Sequence, residues 1–100
     1  MVRDLLAERP KSPYEVWKEI QARLEGTAYL KPSYTNIKTL FYILRRLGLI
    51  RLVGVEKASK KGYFDKKLYT VVKRRLRALE WNNPTEALYR PEAFNRRVHF

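Results

Sequence analysis

The stretch from Ser33 to Ile50, with the sequence SYTNIKTLFYILRRLGLI, carries the clearest structural pattern of the chain. Five apolar residues recur in it at positions i, i+3, i+4, i+7 and i+10, so that a helix would carry them on one narrow stripe facing a core. They are Ile37, Leu40, Phe41, Leu44 and Leu47. Ser33 is suited to cap this helix, and Gly48 marks its end. The sequence therefore predicts an amphipathic helix over residues 33–47.

The opposite face of this predicted helix is polar and basic. No acidic residue occurs between Ser33 and Leu52 to balance its cations. Solvation alone would also explain a basic face, but the missing acids favour a surface that binds a polyanion. At about 100° per residue, the residues on this face and its shoulders are Thr35, Asn36, Lys38, Thr39, Tyr42, Arg45 and Arg46.

Two further helices are predicted upstream. The first covers residues 2–8, where apolar residues recur at helical spacing. The second begins with Ser12, Pro13 and Glu15, which supply a hydroxyl N-cap, a proline at the first helical position and a glutamate three residues after the cap. It is predicted to run to about Leu24.

A β-hairpin is predicted downstream of the amphipathic helix. Residues 49–53 are short and apolar and are bounded by Gly54, and a second strand is predicted over residues 67–72. The polar segment 56–67 would form the tip between them. Its lysines are candidates for phosphate contact, although lysine also commonly guards the edge of a hairpin. The candidate residues of the tip are Lys57, Lys60, Lys61, Tyr63 and Lys66.

The C-terminal segment carries a second N-cap signature. Asn83, Pro84 and Glu86 predict a short helix there. We expect residues 1–80 to form one domain and residues 81–100 a tail that either docks on it or makes a dimer. The cationic cluster at residues 73–77 is equally open to two interpretations, as a phosphate clamp or as a solvated surface.

Composition indicates the class of partner. The chain has 100 residues, 45% of them apolar, so it can bury one modest core. It has 22 Lys and Arg against 10 Asp and Glu, a formal net charge of +12. Such an excess repels itself in a folded chain and favours a polyanionic partner, nucleic acid before an anionic membrane. With no apolar run long enough to span a bilayer, we expect an intracellular, nucleoid-associated protein.

The order of elements, three helices followed by a hairpin with a basic tip, predicts an α+β fold. The stretches Ser33–Leu40 and Leu44–Ile50 resemble the recognition helix and first wing strand of winged helix-turn-helix transcription regulators, in particular small archaeal ones of cellular or viral origin. The resemblance covers roughly residues 2–72. It departs from the family in the segment 25–32, which is longer than the usual tight turn.

The resemblance implies that helix 33–47 enters the major groove of double-stranded DNA and that the wing, residues 56–67, contacts the flanking backbone. It places Thr35, Asn36, Lys38, Thr39 and Tyr42 at base- or phosphate-facing positions. Arg45 and Arg46, nearer the helix end, are expected to contact phosphates. A homodimer would place two such helices in successive grooves. Two alternatives keep the fold: an RNA- or ribosome-associated protein, or a protein-interaction module.

Enzymatic function is not expected. The chain has no cysteine, and its one histidine, His99, cannot form a metal site or a catalytic triad alone. Glu15 and Glu19 share a helix face, but nearby cations favour a solvated surface over an acid/base pair. The four glycines are isolated, so that no phosphate-binding loop is present. We therefore predict no catalytic residues, no metal, no cofactor and no small-molecule ligand.

Overall fold

Three helices begin the chain, and a β-hairpin and a short helix follow them. The computed structural model of the protein describes residues 1–57 and 65–90. Their arrangement is mixed α+β, which confirms the predicted fold class at that level. The helices are α1 (Val2–Glu8), α2 (Pro13–Leu24), α3 (Tyr34–Arg46) and α4 (Pro84–Tyr89); the strands are β1 (Ile50–Glu56) and β2 (Lys66–Val71).

Side-chain caps set the starts of the longer helices. The Glu15 amide donates to Ser12 Oγ at 3.2 Å, and the Ser12 amide donates to Glu15 Oε1 at 3.3 Å, which completes a capping box. The Asn36 amide donates to Ser33 Oγ at 3.1 Å at the start of α3. These contacts satisfy amides that have no partner within the helix. The predicted starts of α2 and α3 are confirmed.

One apolar core joins α1, α2, α3 and the hairpin. The predicted stripe of α3 faces it, with Ile37, Phe41 and Leu44 buried, but Leu40 and Leu47 only half-buried. Ile43, which the stripe did not include, is buried at 4% exposure. Its side of α3 is covered because α4 packs against α3. The apolar surface of α3 is therefore wider than its periodicity predicts. Buried residues from the other elements include Leu5, Leu6, Val16, Ile20, Leu49, Ile50, Tyr69 and Val71.

The hairpin pairs β1 and β2 in antiparallel orientation, from Ile50 opposite Val71 to Glu56 opposite Lys66. The prediction that Gly54 ends the first strand is wrong. The register shifts between Leu52 and Gly54, a β-bulge that absorbs one extra residue, so the strand continues to Glu56. Since β2 begins at Lys66, both ends of the predicted wing segment 56–67 lie within strands.

The segment between α1 and α2 adds a backbone bridge to β2. The Lys11 amide donates to the Tyr69 carbonyl at 3.0 Å, and the Tyr69 amide donates to the Lys11 carbonyl at 2.9 Å. This bridge ties β2 to the helices at a buried position, since Tyr69 is 7% exposed. The hairpin is therefore anchored on both α3 and the α1–α2 connection.

Two 3-10 helices, Lys73–Arg75 and Leu79–Asn82, lead from the hairpin to α4. The Trp81 indole N–H donates to the Arg75 carbonyl at 2.9 Å and fixes this segment. Asn83 caps α4 through its side chain, which accepts from the Glu86 amide at 3.2 Å, as its sequence predicts. Among the described residues, no helix has the length and apolar character needed to cross a membrane.

Candidate nucleic-acid interface

The polar face of α3 is open to solvent. All seven candidate residues on it are exposed, including Tyr42, whose side chain is 58% exposed. In residues 1–57 and 65–90, no carboxylate pairs with the cations of this face, Lys38, Arg45 and Arg46. Their charge is therefore available to an anionic partner. We call this surface, residues 35, 36, 38, 39, 42, 45 and 46, the α3 face.

Aromatic rings hold two of these cations in place. The Lys38 ammonium lies 4.9 Å from the centre of the Tyr34 ring, and the Arg45 guanidinium lies 5.5 Å from that of Tyr69. Each such contact contributes about 0.5–1 kcal/mol at an exposed site. Tyr69 belongs to β2, so Arg45 sits where the helix meets the hairpin. Both cations are thereby oriented without being neutralised.

The α3 face is bounded on both sides. Tyr34 and Arg45 lie on its hairpin side, as the Arg45 contact with Tyr69 shows. On the other side, Leu40 and Leu44 line a pocket of about 290 Å³ together with Trp81, which precedes α4. The hairpin and α4 therefore flank the face, and neither covers it.

The hairpin tip is described only at its two ends. Lys57 is 85% exposed, and its ammonium lies 3.4 Å from Asp65 Oδ2, so that an acid partly compensates this cation. Lys66 is exposed. Lys60, Lys61 and Tyr63 lie outside the described residues. The structure thus brings two candidate lysines, Lys57 and Lys66, to the base of the tip.

Further cations lie at the other end of the hairpin, two of them in the cluster 73–77 that the sequence leaves open as a phosphate clamp. Arg51 is exposed on β1, and Lys73 and Arg74 are exposed just after β2. The Val72 amide donates to the Leu49 carbonyl at 2.9 Å, which places residues 73–74 beside the end of α3. Arg75 differs from them because it pairs with Glu80. As far as residues 1–57 and 65–90 show, the cluster thus contains cations without a carboxylate partner as well as Arg75, which has one, a division that the sequence does not reveal.

Lys11 is a buried cation that sequence reasoning missed. Its side chain is 1% exposed, and its ammonium donates to Glu8 Oε2 at 2.9 Å and to Glu19 Oε2 at 3.1 Å. The hydrogen bond and the charge of Lys11 hold the pKa of Glu8 below its ordinary value. The expectation that Glu19 lies on a merely solvated surface is therefore wrong, because it is a partner of this ammonium.

Glu15 likewise has a structural role. Burial alone would raise its pKa, but hydrogen bonds from Ser12 and Arg9 outweigh burial and place the pKa below its ordinary value. The distance from the Arg9 guanidinium to Glu15 Oε2 is 3.2 Å. In the described part of the chain, no three His, Cys, Asp or Glu side chains form a group that could hold a metal ion.

Comparisons with known proteins found no match for this chain. No protein family matches the sequence, and neither a curated protein nor a solved structure matches the chain.

Proposed function

We propose that this protein is a winged-helix protein that binds double-stranded DNA and regulates transcription. The observation that carries the proposal is the α3 face, an exposed surface whose described cations have no carboxylate partner. The net charge of +12 supports a polyanionic partner. The order of helices and hairpin is compatible with the winged-helix layout and supports the proposal.

In the proposed complex, α3 lies in the major groove, which is wide enough to admit a helix. The hydroxyl and amide groups of Thr35, Asn36 and Thr39 then face base edges, where they are able to donate or accept hydrogen bonds. Arg45 and Arg46, in the last turn, contact phosphates and favour binding by counterion release. The base of the hairpin, at Lys66, follows the flanking backbone.

We also propose a homodimer, in which two copies of α3 meet successive major grooves. In the structure α4 packs against α3, while Tyr89 remains 68% exposed. Light scattering after size exclusion, with and without DNA, measures the assembly. A monomer in both conditions would remove the dimer from the proposal without affecting the α3 face.

The primary experiment is a titration of labelled random-sequence duplex DNA, followed by fluorescence anisotropy at several salt concentrations. If about six phosphates are neutralised, the logarithm of affinity falls with the logarithm of salt at a slope near −5. A structured RNA of equal length is titrated in parallel. RNA binding that equals or exceeds DNA binding contradicts the proposal, because the deep and narrow major groove of RNA does not admit a helix. If neither the DNA nor the RNA binds, the protein-interaction module is the remaining hypothesis.

The double variant Lys38→Ala/Thr39→Ala tests the α3 face after a preferred DNA site has been selected. We expect it to lose the preference for that site over random DNA. Lys18→Ala is the matched control, because it removes the same charge from an exposed position on α2. It should keep the preference and lose only a small part of the total affinity. Unchanged preference in the double variant would overturn the assignment of the α3 face.

A further inference from the structure

A groove lies beside the α3 face, between the first turns of α2 and α3 and strand β2. Its volume is about 600 Å³, within the range of about 300–1,000 Å³ that is typical of small-ligand sites. Tyr14 and Tyr34 come from the helices, and Tyr69 comes from the hairpin. Lys66 and Lys67 complete its wall, next to Asp65. The α3 face as predicted from the sequence does not include this groove.

The aromatic wall of the groove packs against Trp17. The Tyr14 ring centre lies 5.8 Å from that of Tyr34 and 5.7 Å from that of Trp17. The Trp17 indole N–H donates to the Pro32 carbonyl at 3.0 Å, which fixes the tryptophan behind them. Tyr14 is nevertheless 45% exposed, so that part of its ring is open to solvent. It therefore offers a preformed surface for a flat ring.

The basic part of the wall is available to an anion. Lys66 and Lys67 are exposed, and within the described ranges neither forms an ion pair with a carboxylate. Among the described residues that line the groove, the only acid is Asp65, whose carboxylate lies 3.4 Å from the Lys57 ammonium. The described wall therefore combines aromatic rings with a net positive charge. This combination matches a ligand that has both a flat ring and an anionic group.

We propose that this groove binds a single nucleotide, with its base against Tyr14 and its phosphate near Lys66 and Lys67. The base must be unpaired, because a paired base in a duplex is already stacked on both faces. Proteins that bind single strands combine aromatic platforms with cations in the same way. The nucleotide comes either from an unpaired position in a DNA strand bound at the α3 face, which rests on the proposed function, or from a free nucleotide.

The two tryptophans allow a direct test on the full chain by ¹⁵N-resolved NMR. Trp17 contacts Tyr14 and Tyr34, whereas Trp81 lines the pocket with Leu40 and Leu44 on the other side of α3. We expect adenosine monophosphate to shift the indole N–H signal of Trp17 and to leave that of Trp81 unchanged. Adenosine and inorganic phosphate, each lacking one half of the ligand, should bind at least tenfold more weakly. An unmoved Trp17 signal, or equal binding of adenosine, overturns the proposal.

Variants separate the two halves of the groove. Tyr14→Ala and the double variant Lys66→Ala/Lys67→Ala should each weaken nucleotide binding about tenfold. Arg23→Ala/Arg90→Ala is the matched control, since it removes the same charge from exposed positions outside the groove. It should leave nucleotide binding unchanged. An equal loss in the control means that net charge alone attracts the nucleotide, which refutes the groove.

A comparison of two DNA duplexes identifies the source of the nucleotide. A duplex with a one-nucleotide overhang should bind more tightly than a blunt duplex of the same sequence, and Tyr14→Ala should abolish the difference. Equal binding of both duplexes, together with a Trp17 shift by the free nucleotide, supports the groove with a free ligand. The failure of the proposed function is recognised separately, because there the blunt duplex does not bind or a structured RNA binds at least as tightly.

Discussion

The buried ammonium of Lys11, which pairs with Glu8 on α1 and Glu19 on α2, gives a quantitative test of what a buried charge costs when it loses its partners. Its two partners differ in exposure, with side-chain exposures of 57% for Glu8 and 36% for Glu19. The double variant Glu8→Gln/Glu19→Gln keeps the ammonium at 1% exposure but removes both counterions. Lys11→Met instead removes the charge and leaves two carboxylates that already reach water. The two changes break the same contacts, but only the first leaves a buried charge without a partner.

The expected sizes follow from burial. Loss of the partner of a buried charge costs about 3–5 kcal/mol. Because the Gln oxygens still accept hydrogen bonds and water reaches both positions, we expect the ammonium of Lys11 in the double variant to cost about 2–3 kcal/mol. This lowers the melting temperature by about 10–20 °C for a chain of this length. Lys11→Met should change the unfolding free energy by less than about 1 kcal/mol, since an unbranched apolar chain fills the same space.

Urea unfolding followed by far-ultraviolet circular dichroism measures both variants at neutral pH. Equal slopes against urea establish that the two free energies are comparable. If Lys11→Met costs as much as the double variant, the ion pairs themselves stabilise the fold and the reasoning from an uncompensated charge is refuted. A double variant as stable as the parent chain would refute it equally.

Three further predictions concern stability. Gly48 has φ of +72°, and no atom lies within 4 Å of an added Cβ. Gly48→Ala should therefore lower the free energy of unfolding in urea by about 1 kcal/mol through backbone strain alone. Gly54→Ala, without that strain, should lower it less. Ile43→Ala should cost about 2–3 kcal/mol because α4 packs against α3, whereas Tyr42→Ala should cost under about 0.5 kcal/mol; equal costs would contradict the docking of α4. Since the pKa of Glu15 is lowered in the folded state from the ordinary value of 4.5, its stabilising contribution is complete above that pH and is lost as pH falls through the folded pKa. Glu15→Gln should therefore reduce the loss of stability in acid, and an unchanged acid profile would contradict this.

The starts of the capped helices could be predicted from sequence because each depends on a few adjacent residues. Ser12 and Ser33 accept from amides three residues ahead, so the signal and the contact lie in the same short segment. The burial of Ile43 could not be predicted in this way. It depends on the position of α4, about 40 residues downstream along the chain. Helical periodicity predicts the width of a buried helix face only when a single neighbouring element covers that face.

In the candidate site, too, features within one element could be predicted from sequence, and features that join several elements could not. The α3 face was readable because exposed and buried sides of one helix follow from residue spacing alone. The groove could not be predicted from sequence, since Tyr14, Tyr34 and Lys66 belong to three separate elements. The ion pairs of Lys11 were missed because a lysine next to Pro10 indicates an exposed turn, and only the backbone bridge to Tyr69 buries it.

The bridge between Lys11 and Tyr69 also affects how the hairpin meets other chains. A free strand edge is a template on which another strand can add, and repeated addition leads to aggregation. At Tyr69 the outer side of β2 is already occupied, so the backbone groups there are closed to an incoming strand. On the opposite side the bulge between Leu52 and Gly54 interrupts the regular spacing of donors and acceptors along β1. Each of these two edges thus carries its own obstacle to strand addition, which disfavours aggregation through the hairpin.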